Sequence, residues 1–347
     1  MKTLLLTAPR TLQITELPRP DLKPDDVLIR VAACGICGSD VHGYDGSSGR
    51  RIPPLIMGHE ASGTVAEVGE LVTGFKVGDR VTFDSTVYCG SCIYCRRGKV
   101  NLCEHRQVIG VACAEFRREG AFAEYIAVPE RILYLLPDGM SFSEAAMLEA
   151  VSVALHAVKV SGVSGGETAL IVGAGMIGLL TMQAARAKGC ARVLIADVDE
   201  TRLQLARDLG ADEVIAAAGI DVAQRVKDLT GGLGADLVFE AVGRDETVAT
   251  SIDAVCKGGT VILIGNISPQ VSLPLQKVVS REIRVLGSAA SAGEYPDAIR
   301  FISSGEIEVK PLITAVAPLE DGPAWFDRLY QREPNLMKIV LTANSID

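Results

Sequence analysis

At roughly 150 residues per domain, a chain of 347 residues has room for two domains with separate cores. Hydrophobic residues make up 48% of it, aromatics only 5%, and its 35 glycines are scattered through aliphatic runs, which suits an α/β protein with many tight turns. A net charge of −9, with no basic block longer than Arg96-Arg97-Gly98-Lys99, excludes a general nucleic-acid or anionic-membrane surface.

The apolar stretch at Leu4-Leu5-Leu6 is too short for a signal peptide, and the long uncharged run around Ala169 to Gln183 is broken by glycines. A soluble cytoplasmic protein is the expectation. The nine cysteines are odd in number and four fall in one short segment, so metal thiolates in a reducing compartment explain them better than disulfides.

From Leu4 to about Val81 the chain reads as short β segments, for example Val27-Leu28-Ile29-Arg30-Val31 and Gly63-Thr64-Val65-Ala66-Glu67-Val68. Two stretches there carry metal donors: Cys34-Gly35-Ile36-Cys37-Gly38-Ser39-Asp40-Val41-His42 and Gly58-His59-Glu60. A metal that does chemistry needs three protein ligands and an open position, which a thiolate, an imidazole and a carboxylate supply. Spacing leaves Cys34 and Cys37 both open as the thiolate, and Cys34 equally reads as a small buried residue at a strand end.

Next come Cys89-Gly90-Ser91-Cys92-Ile93-Tyr94-Cys95 and then Cys103, four thiols able to close a tetrahedral zinc site. Arg96, Arg97 and Lys99 would offset part of their charge. Two disulfides or an iron–sulfur cluster are the alternatives, and His105 could stand in for Cys103.

From about Thr168 the pattern changes. Short aliphatic strands at Ala169-Leu170-Ile171-Val172, Arg192-Val193-Leu194-Ile195-Ala196, Ala235-Asp236-Leu237-Val238-Phe239 and Thr260-Val261-Ile262-Leu263-Ile264 alternate with helix-like stretches, as in a doubly wound parallel sheet. The first runs into Gly173-Ala174-Gly175-Met176-Ile177-Gly178. Gly173 suits the tight turn, Gly175 a close approach to pyrophosphate, and Gly178 close helix-to-strand packing. Asp197 ends the next strand where a ribose-binding acid belongs, favouring NAD over NADP, while nearby Arg202 leaves dual use open. Val242 and Ile264, at later strand ends, are placed to offer backbone to the nicotinamide half. The helical stretch Tyr295 to Ser303 and the strand Lys338-Ile339-Val340-Leu341-Thr342 read as a return to the first domain, giving residues 1–153 with 291–347 as one domain and 154–290 as the other.

In this order the motifs resemble the zinc-containing medium-chain dehydrogenases over essentially the whole chain, and most of all the sorbitol, threonine and galactitol-1-phosphate dehydrogenase branch. The resemblance implies a GroES-like β-rich catalytic domain with both zinc sites, beside a Rossmann domain that binds NAD. It places the catalytic ligands on Cys37 and His59, with Glu60 or Glu149, in Met147-Leu148-Glu149-Ala150, completing the set; in that branch the two acids exchange as water and substrate come and go. Glu60 also reads as an acid that only orients a ligand. The implied chemistry is Lewis-acid activation of a substrate hydroxyl and hydride transfer to nicotinamide, with Ser39 and His42 relaying the proton. His42 also reads as a solvated loop histidine.

Glu124 and Tyr125 match a family segment with a structural or substrate role. An Arg-Tyr pair that holds polyol hydroxyls in sorbitol dehydrogenases is replaced by small residues within Gly287 to Pro296, so sorbitol itself is doubtful; Tyr44, Phe116 and Arg117 are the candidates for a redirected pocket. The expected substrate is a secondary alcohol, a polyol or a sugar-alcohol phosphate, and the expected assembly a homo-oligomer, dimer or tetramer. Rival readings are a carbonyl or enone reductase of the same fold and a zinc- and NAD-binding redox sensor without turnover. Ser39 and His42 beside the ligands favour turnover.

Overall fold

A computed structural model describes residues 1–113 and 116–343. The chain divides into one unit of Met1–Glu149, Ser291–Ser303 and Val309–Asp347, and another of Ala150–Ala290 and Ser304–Glu308. The first boundary therefore falls after Glu149 and not after residue 153, near the start of a helix, Leu148–Ser161. The run Ser304–Glu308 joins the second unit for a visible reason. Gln183 Nε2 donates to the Glu308 carbonyl at 3.1 Å, and the Glu308 N–H donates back to Gln183 Oε1 at 2.7 Å.

The first unit is organised by strands β1 (Asp26–Gly35), β2 (Glu60–Val68), β3 (Arg80–Phe83), β4 (Tyr125–Pro129), β5 (Leu133–Leu135), β12 (Ile313–Pro318) and β13 (Lys338–Thr342). Their order is β5-β3-β2-β1-β13-β12, with β4 also pairing with β1. Every residue of β1 is buried except Arg30, as its near-continuous apolar run requires of a central strand. Burying a side chain such as Ile29 or Val31 completely contributes about 1.5–3 kcal/mol. The pairing sets Gly35 opposite both Glu60 and Val340, so the end of β1, the start of β2 and the closing strand converge.

The second unit holds β6 (Thr168–Val172), β7 (Arg192–Asp197), β8 (Glu213–Ala216), β9 (Ala235–Glu240), β10 (Val255–Leu263) and β11 (Arg284–Gly287). They form a parallel sheet in the order β8-β7-β6-β9-β10-β11. Four of these strands coincide with the aliphatic runs read from sequence. β8 was not foreseen, because only Ile215 of its four residues is buried and it lacks an apolar run.

Candidate active site

Directly after β1 the chain turns into α1 (Gly38–Gly43), and the cap of this short helix fixes Cys37. Cys37 Sγ accepts the Ser39 N–H at 3.5 Å while the Asp40 carboxylate accepts the Cys37 N–H at 3.3 Å, a reciprocal capping box built on a thiol. His59 and Glu60 arrive through Gly58, whose φ is +88° and where a Cβ would lie 2.8 Å from the Phe122 ring and 2.9 Å from Cys34 Sγ. Only glycine fits that turn. The outcome is a thiol, an imidazole nitrogen and a carboxylate oxygen from Cys37, His59 and Glu60, all within 4.8 Å of one another. Cys34 lies outside this set, buried in β1.

Charged side chains that the sequence reading passed over hold these donors. Asp40 is fully buried; burial opposes its charge, but His59 and then Arg51 keep its carboxyl well below the usual carboxylate range. Arg51 Nε and Nη2 donate to Asp40 Oδ1 at 3.1 and 2.8 Å. On the other side Lys338 Nζ donates to Glu60 Oε2 at 2.5 Å and to the Ile36 carbonyl at 3.2 Å. Burial works against the Lys338 charge, yet Glu60 and Cys37 raise its pKa above the ordinary value. A Cβ on Gly35 would stand 2.3 Å from Glu60 Oε2, so this ion pair occupies space that only glycine leaves.

The cluster fits a zinc ion. Desolvation disfavours a charged His59, but Asp40 and Cys37 hold its pKa well above the ordinary value, so the surroundings favour a cation at this point. His59 Nδ1 is buried without a hydrogen bond, 3.5 Å from Asp40 Oδ1, in the arrangement by which a carboxylate supports a metal-binding imidazole. Glu149 is not in the set of mutually close donors. Its Oε1 accepts from Ser85 Oγ at 3.2 Å, and burial raises its pKa. Ser39 and His42 are exposed on α1; Ser39 Oγ accepts from Arg51 Nη2 at 3.2 Å.

The residues expected to line a redirected substrate pocket have the following contacts. Tyr44 is buried between Phe326 and Tyr330, its hydroxyl bonded to the Arg10 carbonyl at 2.9 Å and to Asp327 at 3.0 Å, because its ring completes the core under α1. Phe116 stacks under the Arg106 guanidinium, and Arg117 donates to the Pro54 carbonyl at 3.1 Å. Glu124 accepts the Lys2 N–H at 2.8 Å and Tyr125 lies beneath Arg19, both structural contacts. Ser291, one of the small residues in the Gly287 to Pro296 stretch, is buried and donates to Asp84 Oδ2 at 3.4 Å.

The four thiols of Cys89, Cys92, Cys95 and Cys103 also lie within 4.8 Å of one another. Cys95 Sγ is 3.9 Å from Cys89 Sγ and 3.5 Å from Cys92 Sγ. A tetrahedron with Zn–S bonds of about 2.3 Å needs sulfurs about 3.8 Å apart, whereas a disulfide needs about 2.05 Å. N–H donation from Ser91 and Cys92 brings the Cys89 thiol down to about 5, while burial pushes Cys95 up to about 12. His105 contributes only its N–H, to Cys103 Sγ at 3.4 Å.

In the second unit β6 leads through Gly173 into α3 (Met176–Ala187; α2 is the helix Leu148–Ser161). Gly173 has φ +103°, and a Cβ on Gly178 would lie 1.8 Å from the Gly173 carbonyl oxygen, so the fold itself demands both glycines. A Cβ on Gly175, the residue capping α3, would meet nothing within 4 Å. Asp197 accepts the Ala174 N–H at 2.6 Å and the Asp199 N–H at 2.9 Å, placing its carboxylate against the glycine turn. Met176 and Ile177 are half-buried at the helix start, Val242 packs over Gly173, and Arg202 lies exposed, 3.7 Å from Asp199. The Ile264 N–H donates to the Glu240 carbonyl at 2.8 Å, and the fully buried Glu240 carboxylate accepts from Val242 and Gly243. Of the supporting residues missed in sequence, Lys338 left a signal: a lysine heading an otherwise apolar strand needs a buried counter-charge. Asp40, Arg51, Ser85 and Glu240 left none, since exposed acids, cations and hydroxyls look the same in a sequence.

Comparison with known proteins matches residues 23–138 to the "Alcohol dehydrogenase GroES-like domain" family and residues 177–304 to the "Zinc-binding dehydrogenase" family. Sorbitol dehydrogenase of Bacillus subtilis (strain 168) is 34% identical over 99% of this chain and 98% of its own length. Galactitol-1-phosphate dehydrogenase of Escherichia coli is 27% identical and superposes with a TM-score of 0.91 over 99% of this chain and 100% of its own. A zinc-binding dehydrogenase of Sinorhizobium meliloti 1021, solved bound to NADP, is 32% identical with a TM-score of 0.90, covering 98% of each chain. A GroES-like unit carrying two donor clusters and a parallel-sheet unit with a glycine turn, matched along nearly their whole length, place the chain in the zinc-type polyol dehydrogenase family.

Proposed function

We propose that the protein oxidises a secondary alcohol, a polyol or a sugar-alcohol phosphate to the carbonyl compound, with NAD as hydride acceptor. The observation that carries this reading is the meeting of Cys37, His59 and Glu60 around a point whose surroundings favour a cation. Cys37 and His59 would hold the catalytic zinc, with Glu60 or Glu149 as third ligand, and Cys89, Cys92, Cys95 and Cys103 the structural zinc. When bound, zinc supplies Lewis acidity toward the substrate hydroxyl and NAD supplies the hydride acceptor.

The chain's own residues do the rest. Asp40 orients the His59 ring, and Lys338 compensates the charge of Glu60. Ser39 accepts the hydroxyl proton and passes its own toward His42, whose exposed ring releases it to water. Glu149, with its raised pKa, takes up a proton more readily than a solvated carboxylate. Gly175, with no packing reason of its own, leaves space for the pyrophosphate, and Asp197 takes the ribose hydroxyls.

Zinc analysis with an NAD-reduction screen over polyols, polyol phosphates, 2,3-butanediol and threonine tests the reading. Two zinc ions per chain and turnover of at least one of these alcohols are expected; one zinc and no turnover would leave a sensor. Asp197→Ala should raise KM for NAD about 10-fold, with a smaller effect on NADP. An unchanged preference would remove that residue from the ribose site.

We further infer a homo-oligomer. β11 ends the parallel sheet, and in the chain just before it Leu275 and Val279, on the helix α4 (Leu275–Ser280) whose Val278 anchors it to the core, join Ile267, Val271 and Leu273 as exposed apolar residues. A monomer in sedimentation would remove this inference. Thiolates that must stay reduced to bind zinc suit the cytoplasm, and among the described residues no helix is long and apolar enough to cross a membrane.

A further inference from the structure

Arg51 has no part in the reaction as described so far, yet it is only 4% exposed and its guanidinium is shared between two partners of unequal kind. One is the carboxylate of Asp40, bound through Nε and Nη2; the other is the hydroxyl oxygen of Ser39, to which Nη2 donates at 3.2 Å. The chain makes room for this placement. A Cβ on Gly43 would lie 2.3 Å from Arg51 Cγ and 3.0 Å from its Cβ, so the side chain runs across α1 in a groove left by that glycine.

We propose that Arg51 is a positioning residue that sets the direction of proton transfer through Ser39, an inference that rests on the dehydrogenase reading above. A serine hydroxyl has one proton to give and two lone pairs to accept with. Arginine has donors only and keeps its proton, so Ser39 can never donate to Arg51. The bond therefore occupies one lone pair and turns the hydroxyl proton away from Arg51. One lone pair is left to receive the substrate proton, and one O–H to release. In the transfer the substrate O–H bond breaks as an O–H bond forms on Ser39, and the proton Ser39 carried passes to His42 or water; nothing is oxidised in this step. The positive charge also stabilises the partial negative charge that Ser39 Oγ carries midway. Through Asp40, 3.5 Å from His59 Nδ1, the same guanidinium ties the relay hydroxyl to a metal-binding side chain, so one buried cation registers both.

The test is a double-mutant cycle of Ser39→Ala and Arg51→Ala in the zinc-loaded full chain, read by thermal melting and by NAD-linked oxidation of the best polyol in the screen. Ser39→Ala should lower the melting midpoint by about 2 °C in the native background and leave it unmoved when Arg51 is absent. Arg51→Ala should lower kcat about 10- to 100-fold with KM for the alcohol changed less than about 3-fold. Added guanidinium ion should restore part of that kcat, and restore none in the double variant. Should Arg51→Ala fail to fold, Arg51→Lys, with a single ammonium unable to span both partners, takes its place in the cycle. Additive melting shifts, or guanidinium rescue that is equal with and without the Ser39 hydroxyl, would overturn the proposal. A native enzyme that oxidises no alcohol overturns the dehydrogenase reading and the relay with it, while the melting cycle still judges whether Arg51 holds Ser39.

Discussion

The two donor clusters of the first unit are built in opposite ways. Cys89, Cys92, Cys95 and Cys103 lie on one short loop, and their thiols are approached mainly by backbone N–H groups of that loop, from Cys89, Ser91, Cys92 and His105. Cys37, His59 and Glu60 come from two separated segments and are steadied by Asp40, Arg51 and Lys338, three buried charges, one of them near the end of the chain. A closed thiolate cage satisfies its metal by itself and contributes stability. A mixed sulfur, nitrogen and oxygen set in a shell of fixed charges is suited to an ion that keeps one position free for chemistry.

If that contrast is right, the clusters fail differently. His59→Ala should lower kcat about 1,000-fold or more while the melting midpoint moves by only a few degrees, as enzyme assay and calorimetry would report. A variant with near-native turnover would place the chemistry elsewhere. Cys103→Ser should do the reverse, removing one zinc per chain by metal analysis and lowering the midpoint by about 10 °C or more. Retention of both metals and of the midpoint would mean the loop does not hold one.

Lys338→Met sharpens the comparison from the side of the supporting charges. Leaving Glu60 buried without its partner should cost about 3–5 kcal/mol in denaturant unfolding, a penalty with no counterpart in the thiol loop. A loss below about 1 kcal/mol would show that Glu60 finds another partner.

The smallest effect concerns Asp84, buried between the clusters in sequence and pushed up to about 7 by desolvation. Its folded pKa lies above its unfolded one, so between about pH 4 and pH 7 the folded state holds a proton that the unfolded state has lost. Stability should therefore fall as pH rises through that window, by at most about 4 kcal/mol. Asp84→Asn should lack that slope, so its stability against pH should diverge from the native curve across the window. Parallel curves across the window would show that Asp84 titrates normally.

The two clusters also differ in how much of them could be read in advance. The clustering of the four thiols was legible, because they are neighbours in sequence and cysteine spacing maps directly onto geometry. The glycine turn was legible for the same reason, with Gly173 and Gly178 fixed by local sterics and Asp197 at the end of the following strand. For the other cluster the motifs supplied Cys37, His59 and Glu60, but the choice between Cys34 and Cys37 needed either the family resemblance or the structure. Tyr44 was misjudged as a pocket residue: nothing local to position 44 reveals that α1 lays its ring against Phe326 and Tyr330.

Alternation of apolar strands with helices, turn glycines and donor spacing thus determined the two-unit plan, the parallel sheet and most of the side chains that cluster as donors, since each rests mainly on interactions between residues close along the chain. Tertiary structure alone decided which buried charges stand behind the ligands, that Glu149 turns to Ser85, that Arg51 grips Ser39, and that Lys338 reaches Glu60 across the sheet. Those pairings depend on strand register and on gaps left at Gly35 and Gly43, distances that close only when segments far apart in sequence pack together.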